Sequence, residues 1–190
     1  MPPLSLAWAY GVLGVVLIAA AVTDIWKGKI YNALTYPAVA AGLIGHTVAG
    51  GLGGTAQSLG LSGAMMGLAV GFLPMLLVWR AGGIGGGDAK LMAAVGALTG
   101  WRFTLAAMFC GLLVAALMAL GVMLRRRIAR RTLGRIWRFL YLWFTPTKAG
   151  DPATPSSPTI PFGLAMCIGS AGALVDRFFG GPMASRLLGI

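Results

Sequence analysis

Long apolar stretches joined by short polar or glycine-rich connections run through the chain, without the strict alternation that marks a half-buried strand. Six stretches, at about 4–23, 33–50, 59–79, 89–101, 103–124 and 160–176, predict helices suited to a hydrocarbon layer roughly 30 Å thick. The fourth is short as drawn. Gly100, Trp101 and Arg102 mark a turn at its end, so it either begins nearer Gly86 or is a shortened helix lining a cavity. The expected fold is an all-α, polytopic membrane protein of about six transmembrane helices, forming one membrane-embedded domain over 1–190.

Two polar segments follow the fifth stretch. Residues 127–144 mix arginines with Ile128, Leu133, Ile136, Trp137, Leu140, Tyr141, Trp143 and Phe144, the pattern of a basic amphipathic helix lying in the headgroup plane. Residues 146–161 are rich in Pro, Ser and Thr and read as a flexible loop outside the hydrocarbon. Gly63, Gly67 and Gly71 recur every fourth residue and give the third helix a small face for close contact, a pattern without specific activity.

Composition agrees with lipid as the main solvent. Apolar residues make up 58% of the chain, charged residues only 10%, and mean hydropathy is +0.85. The net charge of +11 does not point to nucleic acid, because Arg125, Arg126, Arg127, Arg130, Arg131, Arg135 and Arg138 directly follow an apolar run and face anionic phospholipid first. Lys27 and Lys29 follow the first stretch, and Arg80 and Lys90 flank the connection after the third. With the arginine cluster, these place three connections in the cytoplasm and the N-terminus outside. The linker Gly51 to Ser58 and the turn at Arg102 then face outward, while Arg177 and Arg186 leave the side of the C-terminus open. No Lys or Arg precedes the first stretch and no small-residue cleavage site follows it, so it reads as a retained helix rather than a secretion signal.

Candidate chemistry is confined to few residues. Cys110 and Cys167 stand singly in apolar stretches and read as small core residues. His46 is the only histidine and there is no Glu, which leaves no ligand set for a metal; none is expected, nor any cofactor. His46 reads as a helix-packing residue. Gly60-Leu61-Ser62-Gly63 has a serine-protease-like outline but lies near the outer face, and the glycines before Asp88 lack the pattern of a nucleotide loop.

Asp24, Asp88, Asp151 and Asp176 are the whole acidic inventory. Asp151 falls in the polar loop, and Asp176 beside Arg177 reads as a local pair or interface charge. Asp24 and Asp88 each sit at a cytoplasmic helix boundary, with two crossings between them that return the chain to one membrane face. Two carboxyls sharing a site titrate apart, so one can hold a proton while the other accepts one from water. Helix caps, ion pairs with Lys27, Lys29 or Lys90, and a proton or ion relay remain alternatives on this reading. Gly82, Gly83 and Gly85 to Gly87 ahead of Asp88 are expected to allow close backbone approach and unusual dihedrals.

Two motifs carry a resemblance. Gly85-Gly86-Gly87-Asp88-Ala89-Lys90 fits a GxGDxK signature, and Asp24-Ile25-Trp26-Lys27-Gly28-Lys29-Ile30-Tyr31-Asn32 fits the first-acid region of the same family, with Tyr31 where many relatives have proline. Ile160-Pro161-Phe162-Gly163 resembles the motif that opens that family's last helix. The chain therefore resembles the prepilin peptidases, or type IV leader peptidases, which are GxGD-type membrane aspartyl proteases. The resemblance implies that Asp24 and Asp88 are catalytic, with Asn32, Gly85, Gly87, Lys90, Pro161 and Gly163 supporting them or positioning substrate. It also implies an aspartic endopeptidase of the bacterial inner membrane, its site facing the cytoplasm, acting on prepilins or pseudopilins with a basic leader and a hydrophobic helix. The short first-acid region and the lack of a cysteine-rich segment resemble the form associated with Flp/Tad pili, without N-methyltransferase activity. Competing readings are a small transporter using the acids as a relay and an inactive pilus-assembly scaffold.

Overall fold

The structure, a computed structural model, describes residues 7–55, 58–80, 83–125 and 161–179, with the side chains of residues 178 and 179 left out. The described residues form helices α1 (Ala7–Lys27), α2 (Asn32–Gly50), α3 (Gly60–Arg80), α4 (Gly86–Thr99), α5 (Trp101–Arg125) and α6 (Phe162–Phe179). The expected interfacial helix at 127–144 and all of the loop at 146–161 except Pro161 lie outside the described residues.

Each of the six apolar stretches became a helix, but the helices are not equivalent. Among the described residues, only α1, α3 and α5 are both long and apolar enough to cross a membrane, three of the about six transmembrane helices expected. Their outward faces carry Val15, Ile18, Met65, Leu73, Leu77, Phe109, Leu113 and Leu117, all exposed. An apolar exterior of that extent belongs in lipid, and the molecule is a polytopic, all-α membrane protein.

The reason for the difference is clearest in α4. Its 14 residues reach roughly 21 Å at 1.5 Å per residue, short of the hydrocarbon layer. Leu91 through Thr99 are all buried, because α1, α2, α3, α5 and α6 all pack against it. Small residues make this possible. A Cβ on Gly67 of α3 would run into the Gly96 carbonyl of α4, one on Gly96 would run into the Gly67 carbonyl, and one on Gly42 of α2 would lie 2.7 Å from the Ala97 carbonyl carbon. His46, fully buried on α2, reaches the Leu98 carbonyl at 2.8 Å and satisfies one of the free acceptors at the end of α4.

α1 and α6 lie side by side and antiparallel. The last turn of α1 meets the first turn of α6 through Asp24 and Leu164. Fourteen residues back, Tyr10 takes a hydrogen bond from Arg177 near the end of α6. The far end of α6 therefore lies level with the start of α1, at the end of the bundle away from Asp24.

Candidate active site

The interior stripe of α1 is Leu13, Val16, Leu17, Ala20 and Asp24, spaced by three and four residues. Helical periodicity thus carries Asp24 onto the face that is apolar for three turns before it. Gly28, at φ 60°, ends the helix in the left-handed conformation, its N–H bonded to the Asp24 carbonyl at 2.8 Å. The Asp24 carboxylate does not turn to water: Oδ2 accepts the Leu164 N–H at 2.8 Å. That N–H belongs to the first turn of α6, where backbone donors lack helical partners and the helix dipole favours negative charge.

Asp88 is placed by α4 in the same manner. It stands three residues after the cap residue Gly85, and its Oδ2 accepts the Gly85 N–H at 3.2 Å while its own N–H bonds the Gly85 carbonyl at 3.1 Å. Two helix N-termini, those of α4 and α6, therefore converge on one place. Among the described residues, the hydrogen-bond partners of both carboxylates are backbone N–H groups, not lysines.

Gly163 marks where the acids meet. A Cβ on it would lie 2.9 Å from Asp88 Oδ1, 3.0 Å from Asp24 Oδ2 and 2.7 Å from Ile30 Cδ1. The two distances hold those oxygens within about 6 Å of each other. Both acids are 8% exposed. Burial, then the Asp24 charge, raise the Asp88 titration above the ordinary carboxylate range, opposed by the Gly85 hydrogen bond. One carboxyl is thus disposed to hold a proton beside another that can accept one, the requirement for acid/base hydrolysis.

The remaining candidates fall around this point in different ways. Gly82 lies outside the described residues, and Gly83 and Gly85 to Gly87 do not supply unusual dihedrals: the left-handed glycines among the described residues are Gly28, Gly51, Gly54, Gly60 and Gly100. Gly85 has φ −74°, so that expectation is corrected. Close approach is what they do provide, since a Cβ on Gly87 would lie 3.0 Å from Ile30 Cβ and one on Gly85 would lie 3.2 Å from Asp88 Oδ2. Lys90 turns away from Asp88 onto α2, donating to Asn32 Oδ1 at 2.8 Å with its ammonium 5.1 Å from the Tyr36 ring centre. Pro161 precedes α6 and its carbonyl accepts the Ala165 N–H at 3.3 Å, which starts the helix that carries Gly163.

Three residues beside the acids were not assigned to the site from sequence. Leu164 acts through its backbone, which no side-chain pattern reveals. Cys167, one turn after Gly163, is buried within electrostatic reach of both acids and meets the backbone of Ala21, a place its lone occurrence in an apolar run could not indicate. Ile30 was noted only as part of a motif.

With this geometry established, comparison with known proteins adds a family. The model of the type IV leader peptidase family matches residues 11–120, more than half of the chain and including both acids. The chain belongs to that family. The type IV leader peptidase match ends before α6 and so does not reach Gly163 and Leu164, which the structure places beside the acids. The chain is also similar to a prepilin leader peptidase/N-methyltransferase of Bacillus subtilis (strain 168), 39% identical over 72 residues that make up 38% of this chain and 28% of that protein. No solved structure matches.

Proposed function

We propose that the protein is a membrane aspartyl endopeptidase that removes the basic leader of type IV prepilins or related pseudopilins at the cytoplasmic edge of the bacterial inner membrane. The observation that carries this reading is the placement of Asp88 Oδ1 and Asp24 Oδ2 within 3.0 Å of one point beside Gly163, in a chain of the type IV leader peptidase family. In the reaction, the ionised carboxylate takes a proton from water as that water attacks the scissile carbonyl. The protonated carboxyl donates to the carbonyl oxygen, and the proton taken from water goes on to the leaving amine. The hydrophobic helix of the substrate enters from lipid and its leader from water. Asn32, Gly85, Gly87, Lys90, Pro161 and Gly163 shape the surroundings.

The test is cleavage of a candidate prepilin by purified protein in lipid, with the product's N-terminus sequenced. Asp24→Asn and Asp88→Asn should each remove cleavage while leaving insertion intact, and the double variant should lose little more than either. Authentic cleavage by a correctly inserted Asp88→Asn protein at the parent rate would rule the mechanism out. A short, Flp/Tad-type enzyme without N-methyltransferase activity further predicts no added methyl group on the mature product when a methyl donor is supplied, which mass spectrometry reads. A relay is less well supported, because Asp24 and Asp88 lie at one end of the bundle, whereas the buried His46, Thr99 and Thr104 are bonded to helix carbonyls.

A further inference from the structure

Ile30 lies in the four-residue turn between α1 and α2, yet its side chain packs inward against the core. The turn is short because Gly28 reverses the chain at once and Asn32 already begins α2. From there the side chain crosses the site. Its Cβ lies 3.0 Å from where a Gly87 Cβ would be, and its Cδ1 lies 2.7 Å from where a Gly163 Cβ would be, the same point that is 2.9 and 3.0 Å from the two carboxylate oxygens. Glycine at 87 and at 163 is what leaves room for it. One aliphatic side chain thus spans from the N-terminus of α4 to that of α6, with its terminal methyl within about 6 Å of an oxygen of each acid.

We propose that Ile30 is a positioning residue of the two-acid site: its side chain forms the apolar wall that fixes the spacing of α4 and α6 and keeps bulk water out of the space shared by Asp24 and Asp88. This rests on the reading of those acids as a catalytic pair. The wall has a chemical consequence. An apolar neighbour cannot solvate a carboxylate, so it favours the protonated form of the nearer acid, and burial is the largest cause of the raised Asp88 titration. The charged and titratable groups on the surrounding elements toward this end of the bundle are Asp24 and Lys27 on α1, Lys29 and Tyr31 in the turn, Tyr36 on α2, Arg80 on α3, Arg125 on α5, Cys167 on α6 and Lys90 on α4 itself; Tyr10, His46, Arg102, Asp176 and Arg177 lie toward the other end. On α5, Cys110 interacts with Asp176 instead. Of all these, Asp24 is the one whose charge bears on Asp88, and it acts in the same direction as burial.

Ile30→Val removes the methyl at the acids and keeps the branched carbon against Gly87; Ile30→Ala removes the wall; Ile30→Leu restores its bulk. Two readouts apply to the full-length protein in lipid. One is the alkaline limb of the kcat/KM profile for prepilin cleavage, which reports loss of the proton from the acid pair. The other needs no substrate: the pH titration of the protonated-carboxyl infrared band, assigned to Asp88 by its disappearance in Asp88→Asn. Ile30→Val should move both to lower pH by about half a unit and Ile30→Ala by about one unit, with Ile30→Leu close to the parent. Coincidence of the Ile30→Val and parent curves in both readouts would overturn the proposal, and this one-methyl change decides the matter should Ile30→Ala not fold. Cleavage by Asp88→Asn at the parent rate would instead remove the catalytic reading, while the infrared titration still judges the wall.

Discussion

Asp88 costs the fold stability at neutral pH. Its native titration is raised by burial and by Asp24, so the folded chain binds a proton that the unfolded chain has released across the interval above the ordinary carboxylate value. Stability is therefore fully present below the unfolded value and falls as pH rises through the native one. Asp88→Asn should unfold at a temperature higher by about 2–4 °C per kcal/mol recovered in detergent at pH 7–8, the difference fading in mild acid, even as cleavage is lost. Gly163→Ala should do the opposite, since its methyl enters a space bounded at 2.7–3.0 Å by Ile30 and both carboxylates. Cleavage should disappear, with about 1–3 kcal/mol of destabilisation in denaturant titration. Sequence reading reached Asp24 and Asp88 because a charge at the end of an apolar run stands out. It passed over Ile30, whose environment arises only when the α1–α2 turn, α4 and α6 meet.

At the scale of elements, α4 does what the other helices do not: it is too short to span the layer and is enclosed by its neighbours. The four-residue glycine spacing on α3 was legible as a contact face, and Gly67 and Gly71 do press on the α4 backbone at Gly96 and Met92. Gly63 meets Leu59 at the start of its own helix, so the same spacing served two purposes. Sequence marked the fourth stretch as short and offered Gly86 as its start, where α4 does begin, but apolar character alone could not show that its neighbours enclose it. Because backbone atoms cannot yield as a flexible side chain can, Gly67→Ala and Gly96→Ala should each lower stability by about 1–3 kcal/mol or more and reduce cleavage. The double variant should fall short of additivity, since both wedge apart the same helix pair. His46→Ala leaves the Leu98 carbonyl buried without its donor and should cost about 1–3 kcal/mol, with the kcat/KM pH limbs unmoved because His46 sits at the far end of α4.

For the molecule as a whole, the acids occupy one end of the bundle, and His46 and the Tyr10–Arg177 bond mark the other. In the orientation proposed from the charge pattern, the first end faces the cytoplasm. A cysteine replacing the exposed Lys29 should react with a membrane-impermeant maleimide only from the cytoplasmic side, and one replacing the exposed Leu52 only from the outside; the reverse pattern would invert the orientation. The loop order was readable from apolar lengths and basic residues. That α6 returns beside α1 was not, since no local property of 162–179 names its neighbour.

That return places the two halves of the Asp24–Leu164 bond 140 residues apart. A ribosome making this chain delivers the first acid to the membrane early and the donor that orients it late. Until α6 has inserted, a half-synthesised chain holds both acids but not the third wall that brings them to a common point. On the proposed function, nascent and truncated copies should be catalytically silent, so that the membrane meets an active protease only in finished molecules.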